Sequence, residues 1–290
     1  MSNPYITREG GATVTIFVPY DCCNHCPFCI NKAEYANSEG FSAEKICESI
    51  QYIDGITPDC DIVFTGGEPL ADLACLQRML DAVPATHRIF INTTLPVMHE
   101  YSEEQVVDFL NKNADKLTCV NVSRHLEPFV EEGSDEIFRK IKVPVRINCV
   151  LFADYPFERL ESFMNRFRKY GIPIQFRSDY TKTTPENLYD ESNDPILHDL
   201  EDICEFVEMY GCRIRCNYEY DYKGYRISYH KTLPYSTITE VGEDGKEYDV
   251  IYDILIKQTG VFHSDWNSVL LDCEKYENVV FEPNDLVKRK

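Results

Sequence analysis

Three cysteines near the start of the chain have types and spacing that suit a metal cluster. Cys22, Cys26 and Cys29 follow the pattern Cys-x3-Cys-x2-Cys, and Cys23 stands beside the first of them. Thiolates are the usual ligands of iron–sulfur clusters, and three of them would leave one iron of a four-iron cluster open for chemistry. The alternative is a zinc site built from the same thiols, with or without His25.

Further polar groups follow stretches rich in β-branched and aromatic residues, which predict β-strands. These groups are Gly66-Gly67-Glu68-Pro69, Asn92, Ser123-Arg124 and Arg177. Because the active sites of βα barrels lie at the carboxyl ends of the strands, we expect these groups to meet the cysteines on one face. Glycine lets the backbone approach a ligand closely, and the planar fork of arginine suits a carboxylate.

The elements that must position these groups alternate between strands and helices. Strands are predicted over 13–18, 61–65, 88–91, 117–122, 143–151 and 173–177. Helical periodicity follows most of them, which indicates parallel βαβ units. We therefore predict an α/β fold, a partial (β/α)6 TIM-like barrel over residues 13–211. A leader over 1–12 precedes it, and a small β-hairpin-rich extension over 212–290 follows it. The last predicted helix opens at Asp194-Pro195 and ends at Gly211.

These motifs together resemble the radical S-adenosylmethionine (radical SAM) superfamily over about residues 13–180. The signature of that family is a Cys-x3-Cys-x2-Cys loop after the first strand, commonly with an aromatic residue before the last cysteine, and Phe28 holds that position. Gly66-Gly67-Glu68-Pro69 is similar to the family's GGEP motif. The resemblance implies an oxygen-sensitive enzyme that uses a [4Fe-4S] cluster and S-adenosylmethionine (SAM).

The roles that the resemblance implies are specific. Cys22, Cys26 and Cys29 would ligate the cluster, and the amino and carboxylate groups of SAM would chelate the open iron. Reductive cleavage would give methionine and a 5′-deoxyadenosyl radical, which abstracts hydrogen from the substrate. The residues implied to contact SAM are Phe28, Gly66, Gly67, Glu68, Asn92, Ser123, Arg124 and Asn148. No residue is assigned a catalytic role toward the substrate.

Composition restricts the substrate and the cellular setting. The chain has 290 residues and a net charge of −20, which argues against a protein that coats nucleic acid. We expect a small-molecule or nucleotide substrate, with a ribosomally made peptide as the alternative, and a one-electron donor such as flavodoxin or ferredoxin. The start of the chain does not resemble a secretory signal, and no apolar run is long enough to span a membrane.

The remaining cysteines fit a reducing compartment. There are 13 cysteines, an odd number at irregular spacing, which is unlike the disulfide framework of a small secreted domain, so we expect a cytoplasmic protein. Cys212 and Cys216 could suggest a second cluster, but only Cys273 follows them. We expect these two to behave as small apolar residues.

Overall fold

The computed structural model describes most of the chain. The described residues are 5–7, 12–18, 22, 24, 26–29, 39–57, 60–95, 100–153, 155–179, 195–212, 215–230, 237–241, 244–263, 269–271 and 282–283. None of the helices in these ranges is long and apolar enough to cross a membrane.

Six parallel strands form the centre of the molecule, as the sequence predicts. They are β2 (Thr13–Val18), β3 (Asp61–Gly66), β4 (Arg88–Thr93), β5 (Leu117–Ser123), β6 (Val145–Leu151) and β7 (Ile174–Ser178). Each pairs with the next in chain order, so their carboxyl ends share one edge of the sheet. The structure is thus α/β with a large parallel sheet. Closure of these strands into a TIM-like partial barrel stays a prediction.

Helices connect these strands and bury apolar faces against them. They are α1 (Ala43–Gln51), α2 (Ile53–Ile56), α3 (Leu73–Ala82), α4 (Glu103–Lys112) and α5 (Phe157–Arg168), and α6 (Pro195–Ile203) follows β7. Short 3-10 turns cover Pro69–Ala71 and Asp135–Arg139. In α5 the residues at helical spacing, including Leu160 and Phe167, are buried, and Gly171 takes a positive φ of 68° just after the helix.

The predicted last helix is too long. Helix α6 ends at Ile203, and Glu205–Cys212 forms strand β8, which pairs antiparallel with β9 (Arg215–Asp221). The apolar residues Phe206 and Val207 fit the helical period, but they also favour a strand, and the long ladder with β9 decides between the two.

The carboxyl-terminal part contains several strands, and they extend the central sheet at both ends. Strand β10 (Arg226–His230) pairs with β9 and runs parallel to β7, while β13 (Asp253–Ile256) runs parallel to β2. The twelve-stranded order is β15-β14-β13-β2-β3-β4-β5-β6-β7-β10-β9-β8, with β14 at Phe262–His263 and β15 at Val269–Leu271.

Residues 5–7, which lie within the predicted leader, form strand β1 of a second sheet. Tyr5–Thr7 runs parallel to β12 (Glu247–Ile251) and to β16 (Glu282–Pro283), and β11 (Thr237–Val241) completes the order β11-β12-β1-β16. This part of the chain therefore contributes to the fold.

Candidate functional site

A cavity of about 220 Å³ opens at the carboxyl ends of strands β3 to β7. The predicted site residues reach it from five separate strand ends and from the cysteine loop. Those that line it are Cys22, Cys26, Phe28, Cys29, Gly66, Gly67, Glu68, Asn92, Ser123, Asn148 and Arg177. Arg124 is the predicted SAM contact that does not line it.

The described part of the cysteine loop is fastened to the segment that follows β5. Asn24 donates from Nδ2 to Cys22 Sγ over 3.3 Å and accepts the backbone N–H of Glu131 at Oδ1 over 2.8 Å. Cys26 Sγ lies 3.7 Å from the carbonyl oxygen of Phe129. The thiols are thereby held at the cavity without bonding to one another.

Burial affects Cys22, one of the thiols that would have to ligate metal. It raises the pKa of Cys22, and the hydrogen bonds from Asn24 oppose this increase. Among the described residues, no three His, Cys, Asp or Glu side chains are grouped so as to hold a metal ion. Cys23 and His25, which belong to the zinc alternative, lie outside the described residues.

Phe28 belongs to an aromatic cluster at one side of the cavity. Its ring lies edge-on to His125 with a centroid distance of 4.9 Å, and Phe129 and Phe152 lie at 5.6 and 5.9 Å. Phe28 is buried, but it also borders the cavity. A flat, rigid apolar wall of this kind suits the face of a nucleobase.

Gly66 is required by the close approach of β3 to β2. Its φ is +116°, and a Cβ there would lie 2.6 Å from the backbone nitrogen of Val18 and would also meet the Val18 carbonyl oxygen. That oxygen accepts the N–H of Gly67 over 3.0 Å. The two glycines therefore expose bare backbone to the cavity beside the end of the strand that leads to the cysteines.

Glu68 is fully buried and saturated with donors. Oε1 accepts the hydroxyl of Thr93 over 2.7 Å and the N–H of Leu70 over 3.1 Å, while Oε2 accepts the N–H and the hydroxyl of Thr94 over 2.8 and 2.9 Å. Burial raises the pKa of Glu68, and these hydrogen bonds oppose that shift. Its carboxylate joins the ends of β3 and β4, which fixes the edge of the cavity.

Arg124 performs a similar task one strand further on. Its guanidinium donates to the carbonyls of Thr94, Ser123 and Leu95, and Glu132 lies 3.9 Å from Nε. Burial lowers the pKa of this arginine to about 10, and the charge of Glu132 opposes the decrease. As placed, Arg124 fastens the chain after β4 to the end of β5.

The polar groups on the remaining strand ends differ in how well they are paired. Asn92 Oδ1 accepts from Asn121 Nδ2 over 2.8 Å. Asn148 stands opposite Ser123 in the register of β5 and β6 and is only 8% exposed, and among the described residues its Oδ1 has no hydrogen-bond partner. A buried amide oxygen that lines a cavity without a partner is a feature that a bound ligand would satisfy.

Residues that the sequence reasoning missed also line the cavity. They include Asn24, Thr93, Thr94 and His125. His125 directly follows Ser123-Arg124 at the end of a predicted strand, so its position was a usable signal. Thr93 and Thr94 follow Asn92 in the same way, and Asn24 lies within the cysteine loop.

Comparison with known proteins gives a structural likeness and no sequence match. Neither a family model nor a curated protein matches the chain. Streptococcus suis SuiB matches with a TM-score of 0.54 and 14% identity, over 96% of this chain and 65% of SuiB. At this identity the likeness shows a shared fold.

Two further solved structures are similar over a smaller part of the chain. SuiB bound to S-adenosylmethionine has a TM-score of 0.49 and 16% identity, over 67% of this chain and 47% of SuiB. Native anSMEcpe with bound AdoMet and Cp18Cys peptide has a TM-score of 0.44 and 20% identity, over 63% of this chain and 54% of anSMEcpe. This chain thus spans about half the length of these two structures.

Proposed function

We propose that this chain is a radical SAM enzyme. The observation that carries the proposal is that Cys22, Cys26 and Cys29, spaced Cys-x3-Cys-x2-Cys, line the same cavity as the backbone of Gly66 and Gly67. The [4Fe-4S] cluster that the three thiols would hold supplies the electron that cleaves SAM into methionine and a 5′-deoxyadenosyl radical. The shared fold with SuiB, which has also been solved with S-adenosylmethionine bound, supports the proposal.

The residue types that line the cavity suit both groups, although the three thiols would have to draw closer together to share one cluster. Thiols are the usual donors for iron in such clusters. A ligand donor in the same cavity would pair with Asn148 Oδ1, which no described residue satisfies. Bare backbone at Gly66 and Gly67 can receive an ammonium group through carbonyl oxygens. Phe28 offers an aromatic wall on which adenine can lie.

The chain's own contribution is orientation. Glu68 would act on the methionine amine chiefly by fixing the backbone of 66–68, because its carboxylate already accepts four hydrogen bonds. Asn92 and Ser123 would contact SAM from the ends of β4 and β5. The proposed pairing of Arg124 with the SAM carboxylate requires its guanidinium to release a carbonyl that it holds here.

The proposed reaction is hydrogen abstraction from a small molecule or a nucleotide, with the electron supplied by a flavodoxin or a ferredoxin. The alternative substrate is a ribosomally made peptide. SuiB has been solved with its precursor peptide SuiA, which supports the alternative. We propose that the protein works in the cytoplasm, as the odd number and irregular spacing of its 13 cysteines favour.

Anaerobic reconstitution with iron and sulfide tests the proposal. We expect about four irons and four sulfides per chain, and 5′-deoxyadenosine on addition of SAM and dithionite. Alanine at Cys22, Cys26 or Cys29 should abolish both. Cys119→Ala is the matched control, since Cys119 lies on β5 and does not line the cavity, and it should retain both. Stoichiometric zinc without iron would refute the proposal.

Formation of 5′-deoxyadenosine also distinguishes the two substrate classes. A true substrate increases the rate at which SAM yields 5′-deoxyadenosine, and a deuterated one transfers its label to that product. The peptide alternative would be excluded if nucleotides or small metabolites transfer their label to 5′-deoxyadenosine and peptides encoded beside the gene do not.

A further inference from the structure

His125 is held in one tautomer at the wall of the cavity. Its Nδ1 accepts the backbone N–H of Val150 over 3.2 Å, so the ring proton resides on Nε2. The side chain is 8% exposed and is fixed by its edge contact with Phe28 and by Phe129. Burial lowers the pKa of His125 to about 3, which keeps the ring neutral. His125 therefore presents a fixed, uncharged N–H donor.

Asn148 provides a second, independent sign of a ligand. It is nine-tenths buried, it lines the same cavity, and its Oδ1 has no hydrogen-bond partner in the part of the chain that the structure describes. Leaving such an oxygen unpaired is unfavourable, and a ligand donor would remove that cost.

Both groups line the same cavity and are attached to neighbouring positions of one strand. Asn148 lies on β6 two residues before Val150, whose backbone N–H holds the His125 ring. We call these two side chains the ledge. The ledge offers a donor at His125 Nε2 and an acceptor at Asn148 Oδ1, next to the aromatic ring of Phe28.

We propose that His125 is a binding and specificity-determining residue that donates from Nε2 to a ring nitrogen of the adenine of SAM, while Asn148 Oδ1 accepts from the neighbouring amino group. This inference rests on the proposed function. Adenine presents an acceptor beside an amino donor on one edge, which is the complement of this ledge. A base that lies along Phe28 would bring that edge within reach of both side chains.

Two substitutions at one position separate the ligand contact from the structural contact. His125→Asn keeps an acceptor at the position of Nδ1 for the N–H of Val150, but its amide falls short of the position of Nε2. His125→Gln reaches the position of Nε2 with a donor, but it loses the bond to Val150. We expect the Asn variant to bind S-adenosylhomocysteine about tenfold more weakly, and the Gln variant to stay within about threefold of the wild type.

The measurement is equilibrium binding to the reconstituted protein, and iron content is measured in parallel. 5′-Methylthioadenosine, which lacks the amino acid, should show the same ratios, since the contact is to the base. Asn148→Leu, which has nearly the same shape, should raise the thermal midpoint of the ligand-free protein and weaken both ligands about tenfold.

The outcomes separate this inference from the proposed function. If the wild type forms the cluster and binds S-adenosylhomocysteine, but His125→Asn binds as tightly as wild type or His125→Gln is the weaker of the two, the inference is overturned alone. The inference is also overturned if His125→Asn binds S-adenosylhomocysteine more weakly than the wild type but binds 5′-methylthioadenosine equally well. Absence of both cluster and binding in the wild type overturns the proposed function.

Discussion

Adding a single methyl group at Gly66 tests whether this glycine shapes the edge of the cavity. Gly66→Ala places a Cβ where the ideal position is 2.6 Å from the Val18 nitrogen and closer still to its carbonyl oxygen. Both atoms are backbone, so no side chain can rotate away to make room. Either β2 or β3 has to move, and Val18 is the last residue of the strand that leads to the cysteine loop.

The size of the effect follows from these distances. Ordinary contact begins near 3.5 Å, so the two strands must separate by about 0.9 Å or more at this point. A φ of +116° adds backbone strain of about 1–3 kcal/mol for a residue other than glycine. A displacement of about 1 Å in a positioned group lowers rate by about a hundredfold, and here the displaced group includes Gly67 and its hydrogen bond to Val18.

Gly171→Ala is the matched control. Gly171 also has a positive φ, but a Cβ there meets nothing within 4 Å, so only the backbone cost of about 1–2 kcal/mol remains. We expect the control to lose stability in urea while it retains S-adenosylhomocysteine binding and 5′-deoxyadenosine formation. The Gly66 variant should lose both by about a hundredfold. Equal ligand binding in the two variants would refute the account of Gly66 as a site-forming residue.

Three further predictions follow from buried groups. Glu68→Gln should lower the free energy of unfolding by about 2 kcal/mol in urea titration, because each oxygen that the amide N–H2 could replace accepts a backbone N–H, from Leu70 or from Thr94; unchanged stability would contradict this. Folding lowers the pKa of His125 from 6.5 to about 3, so between pH 6.5 and 3 the imidazole takes up a proton only in the unfolded chain. The folded state therefore loses stability as the pH decreases through this range. From pH 7.5 to 5 this loss is about 2 kcal/mol, and it should be absent in His125→Phe. Cys60 should resist iodoacetamide in the native protein at pH 8 and react after unfolding, because burial raises its pKa to about 12; rapid native labelling would contradict this.

The central strands and the face of the site could be predicted because their signals are local. Runs such as Thr13–Val18 are rich in β-branched residues, and the polar groups that follow them lie at strand ends by necessity. Once the strands are parallel and in order, their ends meet at one edge. The convergence of Cys22, Gly66 and Ser123 on one cavity needs no further information.

What could not be predicted depends on partners far away in the chain. The period of residues 195–211 fits a helix, and only the ladder with β9 makes the second half a strand. No local pattern in the carboxyl-terminal part indicates that β13 lies parallel to β2, some 240 residues earlier (Asp253 pairs with Thr13). Arg124 has the residue type and the position to bind a carboxylate, but three carbonyls lie within its reach.

Residue types alone would also have suggested a site on the opposite edge of the sheet. Cys60 Sγ lies 3.3 Å from His87 Nδ1, and His87 Nε2 lies 2.8 Å from Asp54, an order that resembles a nucleophile, its base and an orienting carboxylate. Yet Cys60 immediately precedes β3, away from the carboxyl ends, and it is 1% exposed. Because its backbone N–H also donates to the same Nδ1, the imidazole is occupied in fastening the chain before β3 to the chain before β4. Cys22, Cys26 and Cys29 differ in the two properties that chemistry requires, since they border a cavity and lie where the other strand ends converge.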